Sequence, residues 1–269
     1  MATQTPARKA SSPPVANARA DIRTRSLRRD AYWVQPALTA FGLLVFVVYS
    51  TFRAFQGKYF FTEPYLSPFY SPCLSSSCAP APHFSLLPTF WIVTASVYIV
   101  ILPLGFRLTC YYYRKAYYRS FWLSPPACAV NEPHKKYTGE TKFPLILQNI
   151  HRYFFYAAVL VAAVLTWDAL IAFNFEGSFG IGLGTIILVI NSVLIWGYTL
   201  GCHSCRHITA GRLNSFSKHP MRYKAWTMVS KLNSRHMQWA WASLIWVGLT
   251  DLYIALVAAG AISDPHWVA

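Results

Sequence analysis

Two cysteines in the second half of the sequence have the spacing of a metal-binding pair. Cys202 and Cys205 lie in the segment YTLGCHSCRH, which ends a long apolar stretch. Residues three positions apart differ by about 300° around an α-helix, so in a continuous helix both thiols share one face. His203 and His207 share a different face, about 150° away. They can join the cysteines only if the helix breaks after Gly201 or Cys205, so the spacing favours the two thiolates on one metal ion.

Further side chains that can bind a metal are expected at the same depth in the helix bundle as this cysteine pair. His151 opens the third apolar stretch, His236 opens the fifth, and Cys110 lies at the end of the second. We therefore expect Cys202, Cys205, His151 and His236 to form a site, with Cys110 in reserve. Two thiolates and two neutral imidazoles suit tetrahedral zinc. They are also the ligand set of a Rieske-type [2Fe–2S] cluster, whose imidazoles raise the reduction potential and suit electron delivery to a quinone.

Two other uses of these side chains remain open. His151 and His236 could ligate one haem b axially, because they lie on different helices. A second haem would need another histidine pair, and only His83 and His266 lie in the segments predicted to be outside. The third possibility is a zinc-stabilised membrane scaffold or transporter without a redox role.

The elements that must position these side chains are apolar helices. The chain has 269 residues, of which 55% are hydrophobic and only 12% are charged, whereas a soluble domain is normally about one quarter charged. A helix that spans a bilayer needs about 20 apolar residues. Five stretches qualify, which predicts an all-α bundle of five transmembrane helices at about 37–55, 88–111, 150–174, 179–202 and 237–262. A basic cytoplasmic tail (1–36) precedes this domain (37–262), and a short outer tail (263–269) follows it.

The distribution of charge predicts the orientation of the bundle. The net charge is +15, yet all 24 Lys and Arg residues except Arg53 and Lys58 fall on one side if the N-terminus is cytoplasmic. This is the positive-inside pattern of a multi-pass protein of the plasma (inner) membrane. The basic excess therefore reflects topology, with anionic lipid or an acidic docked subunit as a second use, and not nucleic acid. Cys73 and Cys78 lie in a Pro/Ser-rich loop on the predicted outer side, where a disulfide can persist.

Two segments resemble a known family. YYYRKAYYR follows the second apolar stretch, and GCHSC ends the fourth. In a predicted five-helix anchor with interior histidines at helix ends, they resemble the membrane subunit of actinobacterial-type succinate dehydrogenases, which are succinate:quinone oxidoreductases. The resemblance implies an anchor without haem that holds a Rieske-type [2Fe–2S] cluster in the membrane. It also implies a flavoprotein and an iron–sulfur subunit docked on the cytoplasmic face, with electrons passing to menaquinone or ubiquinone.

The chain itself is not expected to oxidise succinate, because it has no dinucleotide-binding glycine motif for FAD. A quinone head group needs hydrogen-bond donors and an aromatic wall near the membrane interface. Trp239, Arg235, Tyr118 and Arg114 are expected at the right depth, although each also suits a simple interfacial anchor.

Two acids are expected in the half of the bundle away from the histidines. KLNSRH before the fifth stretch echoes LQNIHR before the third, and each stretch then carries one acid, Asp251 or Asp168. By the helical rise they lie roughly 25 Å from the histidines. Ionisable groups inside spans are costly and often mark proton paths. We therefore expect Asp168 and Asp251 either to relay protons or to snorkel toward the outer interface.

Overall fold

The structure is a computed structural model, and it describes residues 28–73, 95–130, 132 and 140–269. Its helices are α1 (Val34–Gln56), α2 (Ala95–Ile99), α3 (Ile101–Thr109), α4 (Tyr111–Ser120), α5 (His151–Ile171), α6 (Leu183–Leu200), α7 (His203–Ala210), α8 (Pro220–Ser234) and α9 (His236–Ala258). A 3₁₀ segment, Leu145–Ile150, leads into α5. Two small antiparallel sheets consist of β1 (Phe61–Thr62) with β2 (Tyr65–Leu66), and of β3 (Asn174–Phe175), β4 (Ser178–Gly182) and β5 (His266–Val268).

Four of the described helical segments are long and apolar enough to cross a membrane, namely Val34–Gln56, Leu145–Ile171, Leu183–Leu200 and His236–Ala258. They correspond to the first, third, fourth and fifth predicted stretches. The second stretch begins outside the described residues, and its described part is the shorter apolar helix Ser96–Thr109. The chain is therefore mostly helical and has several membrane spans, as predicted. The count of five helices and the cytoplasmic N-terminus stay predictions.

The sequence pattern did not predict the short strands between α5 and α6. The predicted helices end at 174 and begin again at 179, but α5 ends at Ile171 and α6 begins at Leu183. Gly177, with φ 93°, makes the turn between β3 and β4, and the C-terminal strand β5 pairs with β4. Glycine disfavours helix by about 1 kcal/mol, and strand pairing satisfies the backbone groups that the helices leave free.

The helices pack through small residues and leave large apolar side chains on the surface. Ala162 and Ala240 are fully buried on α5 and α9, and these helices both pack against α6. On α1, Phe41 and Phe52 are among the large side chains that remain exposed. Lipid is as apolar as these side chains, so close packing of small residues, and not burial of large ones, holds such a bundle together.

A buried ion pair joins α1, α9 and the loop after α1. Arg53 Nε lies 2.7 Å from Asp251 Oδ2, and the two side chains are 4% and 0% exposed. Tyr49 Oη donates to Asp251 Oδ2 at 2.5 Å, and Ser67 Oγ donates to Asp251 Oδ1 at 2.5 Å. We call Tyr49, Arg53, Ser67 and Asp251 the Arg53 clamp. The hydrogen bonds of the Asp251 carboxylate are thus made inside the bundle, by other members of the clamp.

Candidate metal centre

Two cysteines lie at breaks between helices. α6 ends at Leu200 and α7 begins at His203, and Cys202 between them is extended, with φ −69° and ψ 147°. Cys110 has the same place between α3 and α4, with φ −62° and ψ 131°. Each residue is only 1% exposed. The shared face of Cys202 and Cys205 required a continuous helix, and the helix breaks after Gly201. This is one of the two breaks that would free His203 and His207 from their separate face.

Each of the two buried thiols contacts an imidazole from another helix. His151, the first residue of α5, places Nε2 3.0 Å from Cys202 Sγ. His236, the first residue of α9, places Nε2 3.4 Å from Cys110 Sγ. Both cysteines belong to one buried core cluster. The result is two thiol–imidazole pairs inside the bundle, at the end where α5 and α9 begin.

The two pairs are built from the same short sequence. The segments GFRLTC (105–110) and GYTLGC (197–202) have glycine, an aromatic residue, leucine and cysteine at matching positions. A Cβ added to Gly105 would lie 2.2 Å from the Phe154 ring, and one added to Gly197 would lie 2.6 Å from the Trp239 ring. Phe154 and Trp239 each follow a histidine of the centre by three positions. In each segment the glycine, which has no side chain, therefore leaves room for the first turn of the helix that begins with the histidine.

Aromatic rings cover the two imidazoles in the same way. Phe106 stacks on His151 with ring centres 4.9 Å apart, and Tyr198 stacks on His236 at 5.0 Å. Cys110 of the first segment contacts His236, on which Tyr198 of the second segment stacks. Cys202 of the second segment contacts His151, on which Phe106 of the first segment stacks. We call these four donor side chains, Cys110, Cys202, His151 and His236, the crossed site.

The second nitrogen of each imidazole has a different environment. Thr109 Oγ1 donates its only hydrogen to Gly105 O at 2.7 Å, so it accepts from His151 Nδ1 at 2.8 Å. A neutral His151 therefore carries its proton on Nδ1 and a free lone pair on Nε2, and Nε2 faces Cys202. His236 Nδ1 is buried and has no hydrogen-bond partner among the described residues.

The expected ligand Cys205, and His203 and His207 beside it, lie outside the crossed site. Cys205 is buried in the same core cluster, but the imidazole nitrogens of the crossed site contact Cys110 and Cys202. His203 and His207 are exposed, and His207 Nδ1 lies 2.8 Å from Arg152 Nη2. In the part of the chain that the structure describes, no three His, Cys, Asp or Glu side chains converge closely enough to hold one metal ion. The centre therefore consists of two donor pairs and not of a closed metal site.

Comparison with known proteins agrees with this architecture. The sequence profile described as actinobacterial succinate dehydrogenase subunit SdhC matches residues 34–260. The chain belongs to this family. A similar solved structure is the Mycobacterium smegmatis Sdh1 complex in the apo form, one chain of which is 56% identical with a TM-score of 0.84. The match covers 94% of this chain and 98% of that chain. No curated protein matches the chain.

As an SdhC-family member, the chain is a membrane subunit of succinate dehydrogenase, which is an oxidoreductase complex. It assembles with other subunits of that complex, and its apolar helices make it a multi-pass protein of the inner (plasma) membrane. The resemblance noted in the sequence is thereby confirmed at the level of the family and of the complex.

The quinone-binding residues expected in this SdhC-family chain are not gathered in one place. Arg114 Nη1 lies 3.3 Å from Glu140 Oε1, to which Tyr118 Oη donates at 3.3 Å, and both side chains line a polar cleft. Arg235 is exposed at the end of α8 and is not in that lining. Trp239 packs on Gly197, and its Nε1 is buried without a hydrogen-bond partner among the described residues.

Sequence reasoning missed an apolar cavity beside the crossed site. Its volume is about 200 Å³, and its lining includes Phe106, Arg107 and Tyr198 at the crossed site. Phe55 and Phe69 line it as well. The signal in the sequence was the repeated pattern of glycine, aromatic residue and cysteine. Its two aromatic rings, Phe106 and Tyr198, line the cavity and also stack on the imidazoles.

The two predicted proton-path acids have different surroundings. Asp251 belongs to the Arg53 clamp and is fully buried, so it does not snorkel to the interface. Asp168 accepts a hydrogen bond from Ser71 in the loop after α1. Cys73 of that loop is disulfide-bonded, while Cys78 lies outside the described residues.

Proposed function

We propose that this subunit is the electron-transfer anchor of its succinate dehydrogenase. It passes electrons from a docked iron–sulfur subunit through a Cys/His-ligated [2Fe–2S] cluster to a quinone. The observation that carries the proposal is the crossed site, which brings two thiols and two imidazoles together in the bundle interior. When bound, such a cluster supplies one-electron transfer at a potential that imidazole ligands raise.

We propose Cys110, Cys202, His151 and His236 as the ligands, with Cys110 in place of the expected Cys205. Both imidazoles turn Nε2 toward these two sulfur atoms. Cys110 and Cys202 also occupy matching positions in the repeated segments, whereas the counterpart of Cys205 in the first segment is Tyr113. A ligand set of two cysteines and two histidines fits the donor chemistry of a Rieske-type cluster.

The surrounding residues support the same chemistry. The bond from His151 Nδ1 to Thr109 is the kind of outer-shell contact that orients a metal-binding histidine. The stacked rings of Phe106 and Tyr198 keep water from one face of each imidazole. The contacts of the imidazoles favour thiol-containing ligation over haem, because each Nε2 lies against a sulfur atom.

The docking surface for the soluble subunits is proposed at the end of the bundle that carries the crossed site. The segment 203–235 contains seven Lys and Arg residues and no Asp or Glu: Arg206, Arg212, Lys218, Arg222, Lys224, Lys231 and Arg235. Its helix α8 buries none of its residues. A flavoprotein and an iron–sulfur subunit with acidic faces would be recognised here, on the cytoplasmic side of a five-helix bundle with an inside N-terminus.

The quinone, menaquinone or ubiquinone, is proposed to enter through the apolar cavity. Its lining is apolar apart from a few groups such as Arg107, which suits an isoprenoid tail below a polar head group. None of the four predicted quinone residues lines this cavity, and among them Trp239 has a buried Nε1 without an acceptor among the described residues. Asp168 is proposed to deliver protons, since the clamp already occupies the oxygen atoms of Asp251.

The test is iron and acid-labile sulfide analysis of the purified complex, with electron paramagnetic resonance (EPR) of the reduced enzyme. His151→Ala, His236→Ala and Cys110→Ser should each abolish the signal of the cluster in this subunit. Cys205→Ser is the matched control and should keep it. A sharp Soret band, zinc in place of iron, or loss of the signal in Cys205→Ser with retention in Cys110→Ser would contradict the proposal.

A further inference from the structure

Arg107 is a half-buried cation of the bundle whose partners among the described residues are all neutral. Its Nη1 donates to Tyr113 Oη at 2.6 Å and to Ala240 O at 3.3 Å, and Nη2 donates to Ser243 Oγ at 3.0 Å. Its guanidinium also lies 4.7 Å from the centre of the Tyr198 ring. Among the described residues, no carboxylate lies within 4.0 Å of it.

An unpaired cation inside a membrane span is costly and normally marks function. Arg53, which is 4% exposed, is paired with Asp251. The two arginines therefore differ in their partners, because nothing in the described chain compensates the charge of Arg107. A compensating charge from a bound group would remove this cost.

Arg107 is placed to act on the crossed site. It lies one helical turn before Cys110, and the Tyr198 ring that it covers stacks on His236 at 5.0 Å. Tyr198 also meets Phe106, the ring stacked on His151, with centres 5.2 Å apart. Arg107 has no charged counterpart in the second repeat, where Thr199 occupies the matching position.

The charge of a cluster at this site depends on its oxidation state. Two ferric ions, two sulfides and two thiolates sum to a net charge of zero, and one added electron makes it minus one. A nearby fixed cation lowers the free energy of the reduced form more than that of the oxidised form. Zinc with two thiolates would stay neutral, so only a redox centre gains from the cation in this way.

We infer that Arg107 is an electrostatic determinant of the reduction potential, an inference that rests on the proposed iron–sulfur function. Its field favours the electron on the cluster over the electron on the donor subunit. The bonds to Tyr113, Ser243 and the backbone of Ala240 hold the guanidinium in place beside the crossed site.

The experiment is an EPR-monitored redox titration of the purified, quinone-depleted complex. Arg107→Gln should lower the equilibrium constant for reduction on the order of tenfold, which for one electron corresponds to about 59 mV. Arg107→Lys keeps the charge and should titrate close to the wild type. Arg152→Gln is the matched control, because it removes an exposed cation beside His151 that water already screens.

Arg107→Gln with a full iron content and the wild-type potential would overturn the inference. If that variant does not assemble, Ser243→Ala decides, because it removes one bond that holds the guanidinium. A smaller shift in the same direction supports the role of Arg107, and an unchanged potential overturns it. A wild-type complex without any signal from this subunit would instead refute the proposed iron–sulfur function.

Discussion

The Arg53 clamp and the crossed site are both buried polar groups in one apolar bundle, but they are completed differently. In the clamp, both oxygen atoms of Asp251 accept hydrogen bonds from residues of this chain. At the crossed site, His236 Nδ1 has no partner among the described residues, and Arg107 nearby has no described counter-ion. Buried polar groups without partners are costly.

The difference separates structure from function. A polar network that satisfies itself holds helices and loops together and leaves nothing for a ligand to gain. A set of donors that is incomplete gains free energy when a ligand completes it. We therefore propose that the clamp serves stability and that the crossed site serves cofactor binding. Two substitutions test this proposal, and a third tests the proposed proton path.

The largest effect on stability is expected for Asp251→Asn. It leaves the Arg53 guanidinium buried without its carboxylate, and breaking a buried ion pair costs about 3–5 kcal/mol. The melting temperature of the complex should fall, and the iron content of properly assembled enzyme should not change. In Arg53→Met/Asp251→Leu, part of the stability should return because no unpaired charge remains. A single variant that melts like the wild type would mean that the clamp carries little stability.

An intermediate effect is expected for Thr109→Val, which removes the acceptor of His151 Nδ1. Outer-shell contacts of this kind are worth about 10–100-fold in metal affinity. The variant should lose iron to a chelator at a correspondingly lower chelator concentration, while Thr109→Ser should behave like the wild type. Equal iron retention in the Val and Ser variants would show that the hydroxyl does not hold the imidazole.

The smallest effect on stability is expected for Asp168→Asn, because the amide oxygen still accepts from Ser71 and the change should stay below about 1 kcal/mol. Proton uptake coupled to quinone reduction, measured in proteoliposomes, should nevertheless slow. Ser71→Ala serves as a control that keeps the carboxyl group. Unchanged proton uptake in Asp168→Asn would remove Asp168 from the proposed proton path.

The histidines of the crossed site could be identified from the sequence, whereas one cysteine could not. LQNIHR and KLNSRH mark His151 and His236 at the starts of two apolar stretches, and both residues do begin helices that contribute to the site. Helical periodicity, if extended through Cys202, favours Cys205 over Cys110 as the second thiol ligand. The extended conformation of Cys202 removes the basis of that argument.

The sequence by itself determined the membrane environment, four of the membrane-spanning helices and the inventory of donor side chains. These follow from hydropathy and residue type, which are local properties of the chain. The tertiary structure decided that Cys110 shares a site with Cys202, His151 and His236, and that Asp251 pairs with Arg53. Each of these contacts joins residues far apart in sequence, and the backbone breaks at Cys110 and Cys202 depend on packing between helices that no local periodicity records.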